Sequence, residues 1–444
     1  MKRRQFLATA PALLLSSSCL HPRAVAQMSA RPKVALIGAG WYGRMDLLRL
    51  LQVAEVEVVG LCDPDQQQLE DVSTLLQQRH PGQQPRVYAK HEDLLAKEKP
   101  EMVLIESPDH WHTLQAIDCL KAGCHLYLQK PISKDIREGE AILVAARNYP
   151  NQVIQVALQR RSTPHLQEMK KRYIDSGLLG EVHHVEMNCY YHMRDQSVRE
   201  TIPVPESFDY NRWTGPAPLL PFKGVPHRRW RAFEEYSNGI VGDMCVHYYD
   251  AVRWLLDLGW PAKVSSQGGI YVQTAADATT NDTQTAVFEH PERKLNCHWT
   301  HRSWGQAPDP EWPWSFTLFG EKGTLIADTK KYEWRPAKGD PVRVDMTYER
   351  EQYPEDLTEK NIELHVAPAT RAHLRNWVES IQGKATPAAS LEQGHISTAS
   401  CILANLSCSL GRPLAYDPVA KVVRDDQEAT KLLAKGYREG WGRP

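Results

Sequence analysis

The 444-residue sequence predicts an α/β protein: an N-terminal doubly wound parallel sheet, then an α+β domain on a large open, mainly antiparallel sheet. Three observations predict this. Residues 31 to about 150 alternate short apolar runs with helical patterns. A glycine-rich turn, Gly38-Ala39-Gly40-Trp41-Tyr42-Gly43, follows the first apolar run. From about 154 the pattern changes to alternating strands joined by long loops.

In the first region, strands are expected at 34–37, 56–61, 102–106, 125–128 and 153–157. Helices are expected near 43–52, 64–79, 111–122 and 135–148. Such alternation implies parallel strands covered on both faces, with ligands gathering outside the strands' carboxyl ends. In the second region a helix near 165–176 is closed by Gly177 and Gly180. Alternating patterns mark strands at 182–191, 263–273, 283–289, 294–301 and 315–319. Helices are expected at 243–257, 365–381 and 391–410. The predicted division is 27–153 and 154–444. Proline- and tryptophan-rich stretches at 201–231 and 305–315 read as long loops. The 13 tryptophans suit either sugar stacking or core packing.

Each glycine of the turn has a physical task. Gly38 permits the tight exit from the strand, Gly40 lets backbone approach a pyrophosphate, and Gly43 lets the next helix pack close. Trp41 and Tyr42 open that helix, whose free N–H groups attract phosphate. Asp63 lies 20 residues beyond Gly43, at the end of the second strand. A carboxylate there accepts ribose hydroxyls and repels a 2′-phosphate. The motif therefore predicts a Rossmann domain that binds NAD in preference to NADP.

The chain begins Met1-Lys2-Arg3-Arg4-Gln5-Phe6-Leu7, and Ala24-Val25-Ala26 has the form of a cleavage site. Residues 1–26 read as a twin-arginine export signal, placing the mature protein in the periplasm or outside the cell. Attachment of lipid to Cys19 is the less favoured alternative, because Ser16, Ser17 and Ser18 precede it without the apolar residue such a site uses. Loss of the signal takes the formal charge from −1 to about −5. No basic block suggests nucleic acid, and nothing after the signal is long and apolar enough to span a membrane. Eight cysteines remain, none in a CxxC pair and most within apolar runs, which reads as buried free thiols.

Three segments carry candidate chemistry. Lys130 follows a strand and precedes Pro131, where a buried amine can move protons. Asp243 and His247 are four apart, which on a helix shares one face and suits removal of a hydroxyl proton. The pair could also ligate metal, but no third ligand stands at a telling spacing, so no metal is expected. Ser107-Pro108-Asp109-His110-Trp111-His112 ends the third strand. Ser107, His110 and His112 are expected to line the cofactor, while Asp109 could equally cap the next helix.

Over residues 31–417 the chain resembles the glucose–fructose oxidoreductase / inositol dehydrogenase / rhizopine-catabolism (Gfo/Idh/MocA) family. The resemblance rests on Gly38–Gly43, the Ser107–His112 segment and Ala122-Gly123-Cys124-His125-Leu126-Tyr127-Leu128-Gln129-Lys130-Pro131. It continues in Asp209-Tyr210-Asn211-Arg212-Trp213-Thr214-Gly215-Pro216-Ala217 and in Gly242-Asp243 with His247. It implies NAD(P), a sugar or polyol substrate, and a homo-oligomer through the C-terminal sheet. It implies proton relay for Lys130, orientation for Asp243 and general acid/base for His247. Gln129 departs from the family, which more often has glutamate there. Glutamine can hydrogen-bond a ribose but cannot hold negative charge beside the nicotinamide. Arg161, Tyr191, His192, Arg229 and Trp230 are the expected substrate contacts.

An exported nicotinamide enzyme has no free cofactor pool, so the favoured function is an oxidoreductase whose bound NAD is recycled in place. The alternative is an NAD-dependent glycoside hydrolase or lyase, also represented in the family, using transient oxidation, elimination, hydration and re-reduction. A non-catalytic sugar-binding protein is disfavoured by Lys130, Asp243 and His247.

Overall fold

The computed structural model describes residues 29–190, 194, 196–224, 227–357 and 364–444. The export segment, Cys19, Tyr191 and His192 lie outside the described residues.

The first sheet holds six strands in the order β3-β2-β1-β4-β5-β6, all parallel. They are β1 Lys33–Ile37, β2 Glu57–Cys62, β3 Arg86–Tyr88, β4 Met102–Ile105, β5 His125–Leu128 and β6 Ile154–Val156. Helices α1 Trp41–Val53, α2 Gln66–Arg79, α3 His91–Glu98, α4 His112–Lys121 and α5 Ile136–Asn148 connect them. Burial on both faces explains the unbroken apolar runs: Val34, Ala35, Leu36 and all of β4 are fully buried. β3 and α3 were not expected. β3 is a three-residue edge strand, half exposed, and leaves no apolar run to read. The strand order reverses between β1 and β4, which opens a crevice at their carboxyl ends.

The second sheet holds eight strands in the order β14-β13-β12-β11-β7-β10-β9-β8. They are β7 Val182–Cys189, β8 Lys263–Gly269, β9 Thr283–His290, β10 Leu295–Arg302, β11 Trp314–Gly320, β12 Gly323–Ala327, β13 Lys331–Pro336 and β14 Val342–Asp345. Only β7 and β10 pair in parallel; the rest are antiparallel. Helices α6 Pro164–Met169, α7 Tyr210–Thr214, α8 Val246–Leu256, α9 Ala367–Ile381 and α10 Leu391–Leu410 accompany it. The apolar face of this sheet, including Trp299, Phe288 and Phe316, shares one core with α8 and α10. β12 to β14 were not expected; β12 is only five residues, and in β13 the charged Lys331, Glu333 and Arg335 alternate with buried Tyr332 and Trp334.

The two regions interlock more than the predicted division implies. β6 extends the parallel sheet to residue 156, beyond 153. α9 returns from the C-terminal region, and its Leu374, Trp377 and Ile381 pack with Val34, Leu36 and Tyr127 of the first sheet. The cysteines beyond the N-terminal segment are all free; seven are buried and Cys408 is half-buried. Among the described residues no helix is long and apolar enough to cross a membrane.

Candidate active site

The glycine turn has the shape its sequence predicts. Gly38 has φ +94°, and a Cβ there would lie 2.5 Å from the Glu106 carbonyl carbon and the Ser107 nitrogen. A Cβ on Gly43 would lie 2.0 Å from the Gly38 oxygen. Gly40 instead faces open space, with nothing within 4 Å of its added Cβ. Gly40 caps α1 without a side-chain bond, so the first N–H groups of the helix look outward. Asp63 accepts the Ala39 N–H at 2.8 Å and the Asp65 N–H at 2.9 Å, so its carboxylate is aimed at the turn. Around them lies a cleft of about 850 Å³, open to solvent, lined by Gly38, Gly40, Trp41, Tyr42, Asp63, Ser107 and Trp230. Arg212 and Arg231, not anticipated, line it too. This donor set, with open space only over Gly40, fits a dinucleotide.

Beside the cleft Lys130 and Asp243 meet. Lys130 Nζ donates to Asp243 Oδ1 at 2.5 Å and to the Asp243 carbonyl at 3.1 Å, and Arg231 Nε donates to the same Oδ1 at 3.1 Å. Burial would raise the Asp243 carboxyl, but the Lys130 and Arg231 cations hold it down at about 2. The Lys130-Pro131 bond is cis. Asp243 lies in a π-helical turn, Val241–Cys245, that leads into α8. The Asp243 carboxylate accepts from Lys130 and Arg231 rather than from His247. The His247 ring sits edge-on to Trp314 at 5.7 Å, and its buried Nδ1 has no hydrogen-bond partner. Burial, then the fields of Lys130, Arg160 and Arg231, push its pKa well below the usual histidine value. At neutral pH it is an unprotonated base.

Several expected contacts are placed elsewhere. His112 is held between the Pro131 and Ser107 carbonyls, each at 2.7 Å, and His110 lies 3.0 Å from the Trp213 carbonyl. Both braces are buried, and neither lines the cleft, because the short helical turn Asp109–Trp111 directs them inward. Gln129 is occupied within the protein: its amide donates to Asp46 at 3.0 Å and its oxygen accepts the Lys130 N–H at 3.1 Å. Arg161 forms a bidentate pair with fully buried Asp250 at 2.7 and 2.8 Å, which makes it a structural tie rather than a substrate contact. Arg229 is exposed and does not line the cleft, whereas the next residue, Trp230, does.

Asp109, within the Ser107–His112 segment, does not cap a helix; it is buried near Lys130 and Arg231, and burial outweighs those cations and pushes its carboxyl up to about 8. Other residues were missed. Glu106, between β4 and Ser107, has both oxygens buried, and burial and then Asp46 push its pKa well up. Arg160 lies with its guanidinium 5.2 Å from the Trp314 ring centroid. An acid or arginine at a strand end was the only available signal, and many such residues face solvent.

Two family models match the chain. One, an oxidoreductase-family NAD-binding Rossmann fold, covers residues 32–157; the other, the C-terminal α/β domain of the same family, covers 171–416. The inositol 2-dehydrogenase/D-chiro-inositol 3-dehydrogenase of Lactiplantibacillus plantarum is 30% identical over 152 residues, 34% of this chain and 41% of that protein. An α-N-acetylgalactosaminidase of Shewanella oneidensis is 25% identical over 169 residues, 37% of this chain and 36% of that one. Each alignment thus spans less than half of the relative. Among solved structures, the WlbA dehydrogenase of Bordetella pertussis, in complex with NADH and UDP-GlcNAcA, has the same fold. Its TM-score is 0.65 at 19% identity, over 88% of this chain and 99% of that one.

Proposed function

The chain belongs to the Gfo/Idh/MocA family of NAD-dependent oxidoreductases, and from that premise we propose that it interconverts a hydroxyl and a carbonyl on a sugar, polyol or sugar derivative, with NAD held tightly and recycled in place. The observation that carries this reading is the buried Lys130–Asp243 pair beside unprotonated His247, next to a cleft shaped for a dinucleotide. The Gly38–Gly43 turn and Asp63 hold NAD, which when bound supplies the hydride acceptor and donor. His247 takes the hydroxyl proton in oxidation and returns it in reduction. Asp243 remains anionic and fixes the Lys130 ammonium, which hydrogen-bonds the same substrate oxygen. Trp230 walls the cleft.

Export through residues 1–26 agrees with tight retention, since a folded protein carries its cofactor with it. A homo-oligomer through the open face of the second sheet completes this reading.

The Shewanella match favours a second reading, an NAD-dependent glycosidase. Transient oxidation of a ring hydroxyl would acidify the neighbouring C–H, a base would expel the aglycone, and water would add before the ring carbon is reduced again.

One experiment tests both. The mature protein is purified without added cofactor, and nucleotide released on denaturation is identified. Sugars and aryl glycosides are then screened at the reduced-nicotinamide absorbance. Lasting reduction that a second carbonyl compound reverses supports the oxidoreductase. Aglycone release without net absorbance change supports the glycosidase. No nucleotide and no turnover overturns both.

A further inference from the structure

Arg160 carries a buried charge that no carboxylate among the described residues balances. It stands just beyond β6, at the carboxyl end of the first sheet, and is 3% exposed. Its Nε and Nη1 are buried without a hydrogen-bond partner, and among the described residues no carboxylate pairs with it. Its neighbour Arg161 is consumed by Asp250. The guanidinium of Arg160 and the imidazole of His247 flank the same ring, that of Trp314, at 5.2 and 5.7 Å. Arg160 is also among the cations whose fields act on His247, with Lys130 and Arg231.

Lys130 and Arg231 share the Asp243 carboxylate, and Arg160 pairs with no carboxylate among the described residues. Asp109 is held as a neutral acid near pH 7 by its burial. The phosphates of a bound dinucleotide belong at the Gly38–Gly43 turn, and an oxidised nicotinamide would add a further positive charge. An unpaired buried ion is strongly unfavourable, so a site that keeps one is built for a ligand of opposite sign.

We propose that Arg160 is a specificity residue that binds a carboxylate on the substrate, so that the enzyme prefers sugar acids, such as uronates, over neutral sugars. This rests on the reading of the site as a sugar-binding oxidoreductase site. A planar guanidinium can offer two parallel donors to one carboxylate, and the Arg160 cation is close enough for its field to act on His247.

The test uses the full mature chain as purified, with glucose against glucuronate, galactose against galacturonate, and glucose 6-phosphate. Binding is read by tryptophan fluorescence and hydride transfer by reduction of the bound nicotinamide. An acid is expected to bind roughly 10- to 100-fold more tightly than its neutral partner. Arg160→Met removes that preference while shifting the neutral sugar's affinity by less than about threefold; Arg160→Lys keeps part of it. Arg160→Met also raises the unfolding temperature of the unliganded protein, because it removes an uncompensated charge. Equal binding within each pair, preference for the phosphate, a panel in which no acid binds, or equal loss of acid and neutral binding in Arg160→Met overturns the proposal. An acid preference in binding without any hydride transfer overturns the proposed function and leaves the role of Arg160 standing.

Discussion

Lys130 Nζ and Asp243 Oδ1 lie 2.5 Å apart, with their side chains 8% and 10% exposed, although they stand 113 positions apart in sequence. The pair joins the end of β5 to the π turn before α8, so it fixes the two sheets' contributions to one site. Asp243→Asn is expected to lower kcat by about 10²–10⁴ and to leave Lys130 an unpaired buried charge. Lys130→Met should cost a similar amount, and the double variant little more, since the two act as a unit. Additive losses in a kinetic double-mutant cycle would contradict this.

His247→Ala is expected to abolish turnover while the protein keeps its nucleotide and its fold. Because burial holds the imidazole unprotonated, the acid limb of kcat against pH should fall below the ordinary histidine value of about 6.5. An inflection at or above that value, measured in the wild type, would assign the base elsewhere.

Stability should fall as pH drops below about 6.5. His290, His301, His373 and His395 are buried, and burial lowers each to about 4. The unfolded chain binds protons at these groups between about 6.5 and 4 and the folded one does not, so acid favours unfolding there. Asp109 and Glu138, raised by burial to about 8 and about 7, and Glu106 and Asp328, also raised, act in the opposite sense, but the lowered histidines, which also include His110 and His365, outnumber them. Denaturant midpoints at pH 7 and pH 5 check the sign.

Gly40→Ala and Gly43→Ala should fail differently. Gly40 faces open space, so its alanine variant folds with near-normal stability and loses the nucleotide. Gly43→Ala drives a methyl to 2.0 Å from the Gly38 oxygen and should lose both stability and nucleotide. Thermal melts with nucleotide analysis separate the two.

Arg161→Met should destabilise the fold by about 2–3 kcal/mol, because it leaves buried Asp250 with only the Ser397 hydroxyl and, at 3.9 Å, Arg253. KM should change little in whatever protein remains folded. A selective rise in KM without loss of stability would restore Arg161 as a substrate contact.

The candidate site was legible in the sequence where chemistry sits next to its own strand. Gly38, Gly43, Asp63 and Lys130 are read from a strand end and a local motif; the structure sets Asp63 against the glycine turn and Lys130 against Asp243. Arg160 and Arg161 were not separable in this way. Both follow the same strand, and the helical turn Gln159–Ser162 decides which side chain meets Asp250 and which meets Trp314. His110 and His112 were misplaced for the same reason: a three-residue turn after β4 points them at carbonyls instead of the cleft.

By itself the sequence determined the parallel sheet, the mixed open sheet and the dinucleotide turn, because these follow from local periodicity and from glycine's freedom near a backbone; the family was legible through the resemblance of its motifs. Only the tertiary structure decided that Asp243 holds Lys130 rather than His247, that Gln129 is spent on Asp46, that α9 closes the first sheet, and that Arg160 is left without a partner. Those outcomes depend on which distant groups meet out of water, and charge balance in a buried site is a property of the assembled site, not of any segment.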